Sequence, residues 1–280
     1  GCGKSTLATS VLGLFEPPVV KMGGSILLSL PGGASEDLLA VPAARLRQLR
    51  WRHVAYIPQG SMSALNPVLR VRQQMTDTLV AHGMSMAEAL AAAQRALAFT
   101  NLSPDVLERY PHELSGGMMQ RVAIAAAVSM QPALLVADEP STALDVVTQR
   151  LILQELQRIR RELGTTIMLI THDMGVIAQV VDRMAVMYAG RIVEIGAVGE
   201  VFSSALHPYA AGLIRSIPVE GSGRVTGLAG ETPSPFSYPA GCRFHPRCPR
   251  VMEICRTVVP AYREAQPEHL VACHLYDGGR

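Results

Sequence analysis

Two short segments contain residues whose types and spacing suit phosphate and metal chemistry. The first is GCGKST, residues 1–6. In such a Gly-rich turn, backbone N–H groups at the start of a helix can cradle phosphates, Lys4 would neutralise the outer phosphates and the Ser5 hydroxyl would bind Mg²⁺. The full pattern is G-x-x-x-x-G-K-[ST], and its first glycine would fall before residue 1. A helix-capping Gly-Lys-Ser-Thr is therefore an alternative for this segment taken alone.

The second segment is LLVADEP, residues 134–140, an apolar run that ends in two acids. Ligands bind beyond the carboxyl ends of strands in parallel sheets. Asp138 is therefore expected to reach Mg²⁺ through water, and Glu139 to polarise an attacking water. Two acids after a strand also occur as helix N-caps, but their presence in one chain with the Lys4 segment favours a phosphate site.

The elements that would position these residues alternate between strand and helix. Strands are predicted in SILLSL (25–30), HVAYIPQ (53–59), ALLVAD (133–138) and TTIMLITHD (165–173). Helices are predicted over 4–14, 42–50 and 145–163. Strands that alternate with helices indicate parallel pairing, so the fold class is α/β with a doubly wound sheet.

Residues 68–100 break this alternation. Two amphipathic helices follow one another there without an intervening strand, which predicts a helical insert, part of a helical subdomain over about 68–130. Further along, RMAVMYAGRIVEIG predicts a hairpin with its turn at Ala189 and Gly190.

Composition limits the classes of protein. Hydrophobic residues make up 49% of the 280 residues, which indicates a globular chain, and the net charge of +2 gives no reason to expect nucleic acid. The most apolar stretch, Val122–Ala137, is interrupted by polar residues and proline, and it is shorter than the roughly 20 residues that a membrane-spanning helix needs.

Four of the five cysteines lie near the end of the sequence: Cys242, Cys248, Cys255 and Cys273. From about Pro218 the composition shifts to Gly, Ser, Pro and Arg, so we expect a first domain over 1–218 and a small loop-rich module over 219–280. A cysteine cluster without a secretory signal favours metal over disulfides. The spacings are too wide for a C-x2-C zinc knuckle, although zinc and buried structural cysteines remain alternatives.

LSGGMMQR, residues 114–121, resembles the signature sequence of ATP-binding cassette (ABC) ATPases. STALD resembles the D-loop of that family, Gln59 in IPQGSMSALNP matches its Q-loop, and His172 in ITHD matches its switch histidine. Each residue also has a structural interpretation: Ser115 as an N-cap, Gln59 as a turn residue, His172 as a core histidine. The order of all five motifs across residues 1–172 favours the resemblance.

The resemblance implies a P-loop ATPase fold with a helical subdomain and two ATPase subunits that face each other, with ATP between them. Glu139 would act as general base, while His172 would hold the γ-phosphate and the water in line, and Mg²⁺ would be held by Ser5, Gln59 and Asp138. The implied nucleotide-binding residues are Gly1, Cys2, Gly3, Lys4, Ser5, Thr6, Gln59 and Asp138, with Ser115, Gly116, Gly117, Gln120 and Asp145. The family also has several tens of residues before this point, so we expect the sequence to be truncated at its N-terminus.

HPYAAGLIRSIP and CRFHPRCPRVMEIC resemble the C-terminal extension of the dipeptide, oligopeptide and nickel importer ATPases. This implies peptide import at the cytoplasmic face of the cell (inner) membrane, as a peripheral subunit. The implied partners are a second ATPase subunit, usually a paralogue, two transmembrane permease subunits and an extracellular or periplasmic binding protein. It also implies a [4Fe-4S] cluster on the four cysteines, as a structural staple. Alternatives are import of nickel or another small solute, a non-hydrolysing regulatory subunit, and a soluble DNA-repair or translation ATPase.

Overall fold

The computed structural model describes residues 2–15, 17, 19–30, 32–60, 64–142, 144–217 and 227–278. The chain forms two compact units: a larger one over Ser5–Thr171, and a smaller one that combines Gly1–Lys4 with His172–Arg280. The domain boundary predicted between residues 218 and 219 lies outside the described residues. That division of the chain stays a prediction.

The larger unit contains the predicted α/β elements. In chain order they are α1 (Lys4–Val11, which begins at the last residue of the smaller unit's first segment), β1 (Leu27–Ser29), β2 (Ser35–Asp37), α2 (Ala43–Leu49), β3 (Val54–Ile57), α3 (Val71–Ala81), α4 (Met86–Phe99), α5 (Gly116–Val128), β4 (Leu134–Asp138), α6 (Val146–Leu163) and β5 (Thr166–Ile170).

A parallel sheet with strand order β3-β4-β5 lies at the centre of this unit. Leu135 and Ala137 share a core with α5 and α6, whereas Val136, between them, shares a core with α1 and α2. Successive side chains of a strand point to opposite faces, so β4 is covered by helices on both sides. The predicted doubly wound arrangement is confirmed for these elements.

The helical insert is also confirmed. Helices α3, α4 and α5 and the 3₁₀ turn Pro104–Glu108 surround a hydrophobic core of their own. The start of α4 is set by a capping box, in which the Ser85 hydroxyl accepts from the Glu88 N–H at 3.3 Å and the Ser85 N–H donates to the Glu88 carboxylate at 2.8 Å. The Ser85 hydroxyl and the Glu88 carboxylate thus each accept from an N–H group that would have no partner within the helix.

Strand β2 was not predicted from sequence. Its residues, SED, show no apolar alternation, yet they pair antiparallel with β1. The Asp37 carboxylate accepts from the N–H groups of Ile26 at 2.9 Å and Leu39 at 3.0 Å, and these bonds lower the pKa of Asp37. Hydrogen bonds from Asp37 to the flanking backbone thus add to the packing of Leu28 and Leu38 in the adjacent core.

The smaller unit contains α7 (Met174–Val180), β6 (Arg183–Tyr188), β7 (Arg191–Ala197), α8 (Val198–Ser204), α9 (Pro208–Arg215), β8 (Arg263–Gln266) and β9 (His269–Val271). The strands form an antiparallel sheet in the order β6-β7-β9-β8. The predicted hairpin, with its turn at Ala189 and Gly190, is confirmed.

Strands β8 and β9 lie in the region for which the sequence shows no periodicity. They are four and three residues long, and all of β8 is exposed. Such short strands carry almost no alternation of their own. Pairing orders them: β9 pairs with β7, and β8 pairs with β9. Within the described residues, no helix has both the length and the apolar character needed to cross a membrane.

Candidate functional site

Asp138 ends β4 as a buried carboxylate. Its side chain is 1% exposed, and its Oδ2 accepts from the Tyr56 hydroxyl at 3.5 Å. Among the described residues, Oδ1 is buried and has no hydrogen-bond partner. Burial, followed by the charge of Asp138, raises the pKa of Tyr56 to about 12. A buried carboxylate oxygen without a donor is costly unless a cation faces it, so Asp138 fits the predicted Mg²⁺ site.

Glu139 follows in a backbone conformation that side chains rarely adopt. Its φ is 48°, and its N–H donates to the Ile170 carbonyl at 2.8 Å. Its Oε2 accepts from Gln59 Nε2 at 3.2 Å and from Thr142 Oγ1 at 3.0 Å. The structure thus brings together two predicted residues, Gln59 and Glu139. Strained backbone of this kind concentrates at functional sites.

Sequence reasoning missed Tyr56 and Thr142. Thr142 follows Glu139 by three residues in DEPST, a spacing at which side chains meet within a turn. Tyr56 lies in β3 opposite Val136 in the register with β4, so its contact with Asp138 depends on strand pairing. Only the contact between Thr142 and Glu139 has a signal in the local sequence.

The segment predicted to bind phosphates leads into α1. Gly3 has a φ of 94°, and α1 begins at Lys4. The Lys4 ammonium, which is half-buried, donates to Cys2 Sγ at 3.8 Å. Ser5 and Thr6 are exposed in the first turn of the helix. Gly1 lies outside the described residues, so its part in the prediction has no structural account.

The signature segment forms the start of α5. Ser115 is the N-cap and its hydroxyl accepts from the Met118 N–H at 3.3 Å. Gly116 and Gly117 follow in the first turn, half-buried, and Gln120 is 3% exposed. The geometry expected from an N-cap is therefore present, and the N-terminus of a helix is compatible with the predicted contact to phosphate. That contact stays a prediction.

Asp145 is the N-cap of α6. Its carboxylate accepts from the N–H groups of Val147 at 3.1 Å and Thr148 at 3.0 Å, and from the Thr148 hydroxyl at 2.6 Å. The hydrogen bonds from Thr148 are the main reason that the pKa of Asp145 is lowered. Asp145 thus has a structural role, as the N-cap of α6, that the sequence did not reveal. Its contact with nucleotide stays a prediction.

His172 lies in the smaller unit, between β5 and α7, and its side chain is exposed. The next residue, Asp173, caps α7 by accepting from the Gly175 N–H at 2.8 Å and the Val176 N–H at 3.2 Å. The exposure of His172 argues against a core histidine. Its role towards the γ-phosphate stays a prediction.

The four C-terminal cysteines are free thiols. The Cys242 N–H donates to the Cys255 carbonyl at 2.9 Å, which joins two cysteine segments. Burial is the main cause that raises the pKa of Cys242, of Cys248 and, to about 11, of Cys273; nearby cysteines contribute. Within the described ranges, however, no three His, Cys, Asp or Glu side chains form a group that could hold a metal ion. The donor type suits a cluster, but the described side chains do not form such a group.

A parallel sheet with helices on both faces, a glycine-rich segment at the start of α1 and two acids at the end of β4 together define a P-loop nucleoside triphosphatase. Comparison with known proteins narrows this class. Residues 1–142 match the family model described as ABC transporter, and residues 193–255 match oligopeptide/dipeptide transporter, C-terminal region.

Curated relatives match along almost the entire chain. The dipeptide transport ATP-binding protein DppD of Caldanaerobacter subterraneus subsp. tengcongensis is 40% identical, over 99% of this chain and 85% of the relative. The oligopeptide transport ATP-binding protein OppD of Salmonella typhimurium is 41% identical, over 98% of this chain and 81% of the relative.

Among solved structures, the dimeric bacterial ABC transporter cassette MJ0796 matches with a TM-score of 0.59 and 26% identity, over 70% of this chain and 81% of that one. The chain therefore belongs to the ATP-binding subunits of the ABC transporter family, and it carries the C-terminal region of oligopeptide/dipeptide transporters.

Proposed function

We propose that this chain hydrolyses ATP to drive the import of di- and oligopeptides through an ABC transporter. The observation that carries the proposal is the match of residues 193–255 to the oligopeptide/dipeptide transporter C-terminal region, together with relatives of about 40% identity that are named for dipeptide and oligopeptide transport. Nickel or another small solute is the alternative cargo, and no observation on this chain favours it.

ATP would bind by its phosphates at the start of α1. The backbone N–H groups of residues 3–6 lie at a helix N-terminus, where the partial positive charge of the helix attracts anions. The Lys4 ammonium donates to Cys2 Sγ at 3.8 Å. We expect it to turn from that weak acceptor to the β- and γ-phosphates.

The expected Mg²⁺ would be held by the Ser5 hydroxyl and by Asp138, whose buried Oδ1 has no donor among the described residues. When bound, the ion neutralises charge on the phosphates. Gln59 is the third predicted ligand, and its amide side chain donates to Glu139. Because the amide donates through Nε2, its carbonyl oxygen Oε1 is the atom that would bind the ion.

Glu139 would accept a proton from the attacking water. Gln59 and Thr142 both donate to its Oε2, and the positive φ of Glu139 turns the residue out of the strand direction. These contacts support a fixed carboxylate, which is what a general base requires. His172 would hold the γ-phosphate and the water in line, and positioning of this kind supplies most of the catalysis in phosphoryl transfer.

A second ATPase subunit would complete the site. Ser115, Gly116 and Gly117 would offer a hydroxyl and helix N-terminal N–H groups to the γ-phosphate bound by that subunit. Gln120 and Asp145 are the other residues of this region predicted to bind nucleotide. The matched MJ0796 cassette is described as dimeric, which supports the arrangement. We expect the second subunit to be a paralogue, and the pair to sit at the cytoplasmic face of the membrane on two permease subunits, supplied by a substrate-binding protein.

We retain the [4Fe-4S] cluster as a proposal that rests on the resemblance and on four thiols in one module, against zinc and against no metal at all. The test is iron, sulfide and zinc analysis of anaerobically purified protein. Four irons and four sulfides per chain would support the cluster, and a stoichiometric zinc content or no metal would exclude it. A Cys248→Ser variant that keeps its metal and its melting temperature would also contradict the proposal.

Transport is tested in liposomes that contain the ATPase pair, the permeases and the binding protein. We expect ATP hydrolysis and uptake to rise when the binding protein is loaded with a di- or oligopeptide, and not with Ni²⁺. Stimulation by Ni²⁺ alone would assign the cargo to the alternative. Hydrolysis by the chain without association with any permease would favour a soluble ATPase.

A further inference from the structure

The turn between β6 and β7 has an unusual conformation. Ala189 and Gly190 have φ values of 47° and 78°, as in a two-residue hairpin turn with both central residues left-handed. Alanine is disfavoured there because its Cβ crowds the following carbonyl, yet Ala189 is 2% exposed and well packed. Something in the surrounding structure must hold this alanine in place.

On one side, the turn is bonded to the segment predicted to bind phosphates. The Gly190 N–H donates to the Cys2 carbonyl at 2.9 Å. In a planar trans peptide, C=O and N–H point in opposite directions, so this bond directs the N–H of Gly3 away from the turn. A Cβ on Gly3 would lie 3.5 Å from Met187 Cε and 3.8 Å from Gly190 Cα, which places the hairpin directly against this segment.

On the other side, the turn is held by the cysteine-rich module. Arg243 Nη1 donates to the Ala189 carbonyl, and the Arg243 guanidinium lies 3.8 Å from the centre of the Tyr238 ring. A Cβ on Gly190 would lie 3.0 Å from Arg243 Nη1, so glycine at this position makes room for the arginine.

Arg243 has no acidic partner among the described residues, since its side chain appears in no ion pair there. Its next charged neighbour is Arg191, which repels it. A half-buried guanidinium beside another cation is kept in position by its hydrogen bond and by the aromatic ring. Within the described residues, its hydrogen bond goes to the turn and its guanidinium lies over the Tyr238 ring.

We propose that Arg243 is a positioning residue for the phosphate-binding segment. The path runs from the Arg243 guanidinium to the Ala189 carbonyl, and from the Gly190 N–H to the Cys2 carbonyl. The Gly3 N–H on the far side of that peptide is thereby oriented for phosphate. This couples the cysteine-rich module to ATP binding, and it rests on the proposed role of residues 2–6 in holding ATP phosphates.

The test compares Arg243→Ala with Arg256→Ala in the assembled transporter, by ATPase kinetics and by melting temperature without nucleotide. Arg256 is an exposed arginine of the same module, paired with Glu253. For R243A we expect KM for MgATP to rise about tenfold, the effect of one charge-assisted hydrogen bond. We expect kcat to stay within about twofold, as for loss of uniform binding. R256A should match the unaltered protein, and R243K should recover most of the affinity, because its ammonium can still donate to Ala189.

A lowered melting temperature with unchanged KM in R243A would mean a structural role only and would overturn the inference. If R243A does not fold, Gly190→Ala probes the same contact from the turn: an increased KM supports the inference, and an unchanged KM overturns it. Lys4→Ala distinguishes failure of the proposed phosphate site from failure of the positioning role of Arg243. If K4A leaves ATP binding intact, the proposed phosphate site fails; if K4A abolishes binding while R243A leaves KM unchanged, only the positioning role fails.

Discussion

Asp138 and Glu139 are neighbours in sequence but have different environments. Asp138, the last residue of β4, is buried and lacks a donor on Oδ1 among the described residues, which suits a cation. Glu139 leaves the strand through a positive φ and receives hydrogen bonds from two side chains. This difference in environment is why we propose that Asp138 faces the metal and that Glu139 faces the water.

We expect Glu139→Gln to bind MgATP normally and to hydrolyse it about 10²- to 10⁴-fold more slowly, because the amide cannot accept the proton. The amide oxygen can still accept from Gln59 and Thr142, so the fold of the site should be kept. Steady-state ATPase rates and nucleotide titration check this, with Glu162→Gln on the exposed surface of α6 as the control. Hydrolysis by E139Q at the unaltered rate would assign the base elsewhere.

Glu155 is a buried acid that the proposed chemistry does not use. It is 5% exposed in α6, and burial raises its pKa to about 7 against the opposing charges of Arg121 and Arg158. This pKa is higher than the 4.5 that is ordinary for a glutamate, so the folded chain binds more protons between these pH values. The contribution of Glu155 to stability therefore decreases as pH rises from 4.5 to 7.

We therefore expect Glu155→Gln to stabilise the larger unit at pH 8, by up to about 3 kcal/mol, and to have much less effect at pH 4.5. The glutamine keeps the shape of the side chain and removes the buried charge. Urea unfolding at both pH values, as the difference between variant and unaltered protein, isolates this group from other titrations. An equal difference at both pH values would show that Glu155 is not the titrating group.

At the scale of elements, the signature helix α5 is positioned by α6. A Cβ on Gly117 would lie 2.7 Å from Thr148 Cγ2, and the Thr148 hydroxyl is bonded to Asp145 at 2.6 Å. Thr148 cannot rotate away without losing that hydrogen bond. The D-loop aspartate and the signature glycine are therefore linked through one threonine.

We expect Gly117→Ala to destabilise the larger unit by about 1 kcal/mol through overpacking against Thr148. Thr148→Ser removes Cγ2 and keeps the hydroxyl for Asp145, so the G117A/T148S pair should regain most of the loss. Thermal unfolding of the two single variants and the double variant measures this. Simple addition of the two single effects in the double variant would contradict the contact.

At the scale of the whole molecule, the C-terminal residues are part of the smaller unit's sheet. Glu194 in β7 and His269 in β9 are both fully buried, with Oε1 and Nε2 2.7 Å apart. Glu194 also accepts from the N–H groups of Leu206 at 2.9 Å and His207 at 2.8 Å. One carboxylate therefore joins β7 to β9 and to the segment that leads into α9.

Removal of the histidine should disrupt this unit. We expect His269→Ala to lower its stability by about 3 kcal/mol or more, because the Glu194 carboxylate stays buried with one partner fewer. His112→Ala, an exposed histidine of the larger unit, is the control. The measurement is denaturant unfolding followed in the smaller unit, and a loss below about 0.5 kcal/mol would indicate that β9 contributes little to its stability.

The sequence by itself determined the phosphate segment, the acids after β4, the signature and the alternation of strands and helices. Each of these depends on a few consecutive residues or on a short period, so local physics is sufficient. It also predicted the hairpin turn at Ala189 and Gly190, from residue types alone.

The tertiary structure decided what distant residues do together. Strands β2, β8 and β9 have no periodicity and form only against partners. Tyr56 meets Asp138 across 82 residues, and Arg243 meets Ala189 across 54. The first contact depends on the register between β3 and β4, and the second on the packing of a loop-rich module. Neither leaves a pattern in a short window of sequence. A hydrogen bond to a backbone carbonyl, such as that of Ala189, also places little constraint on residue type.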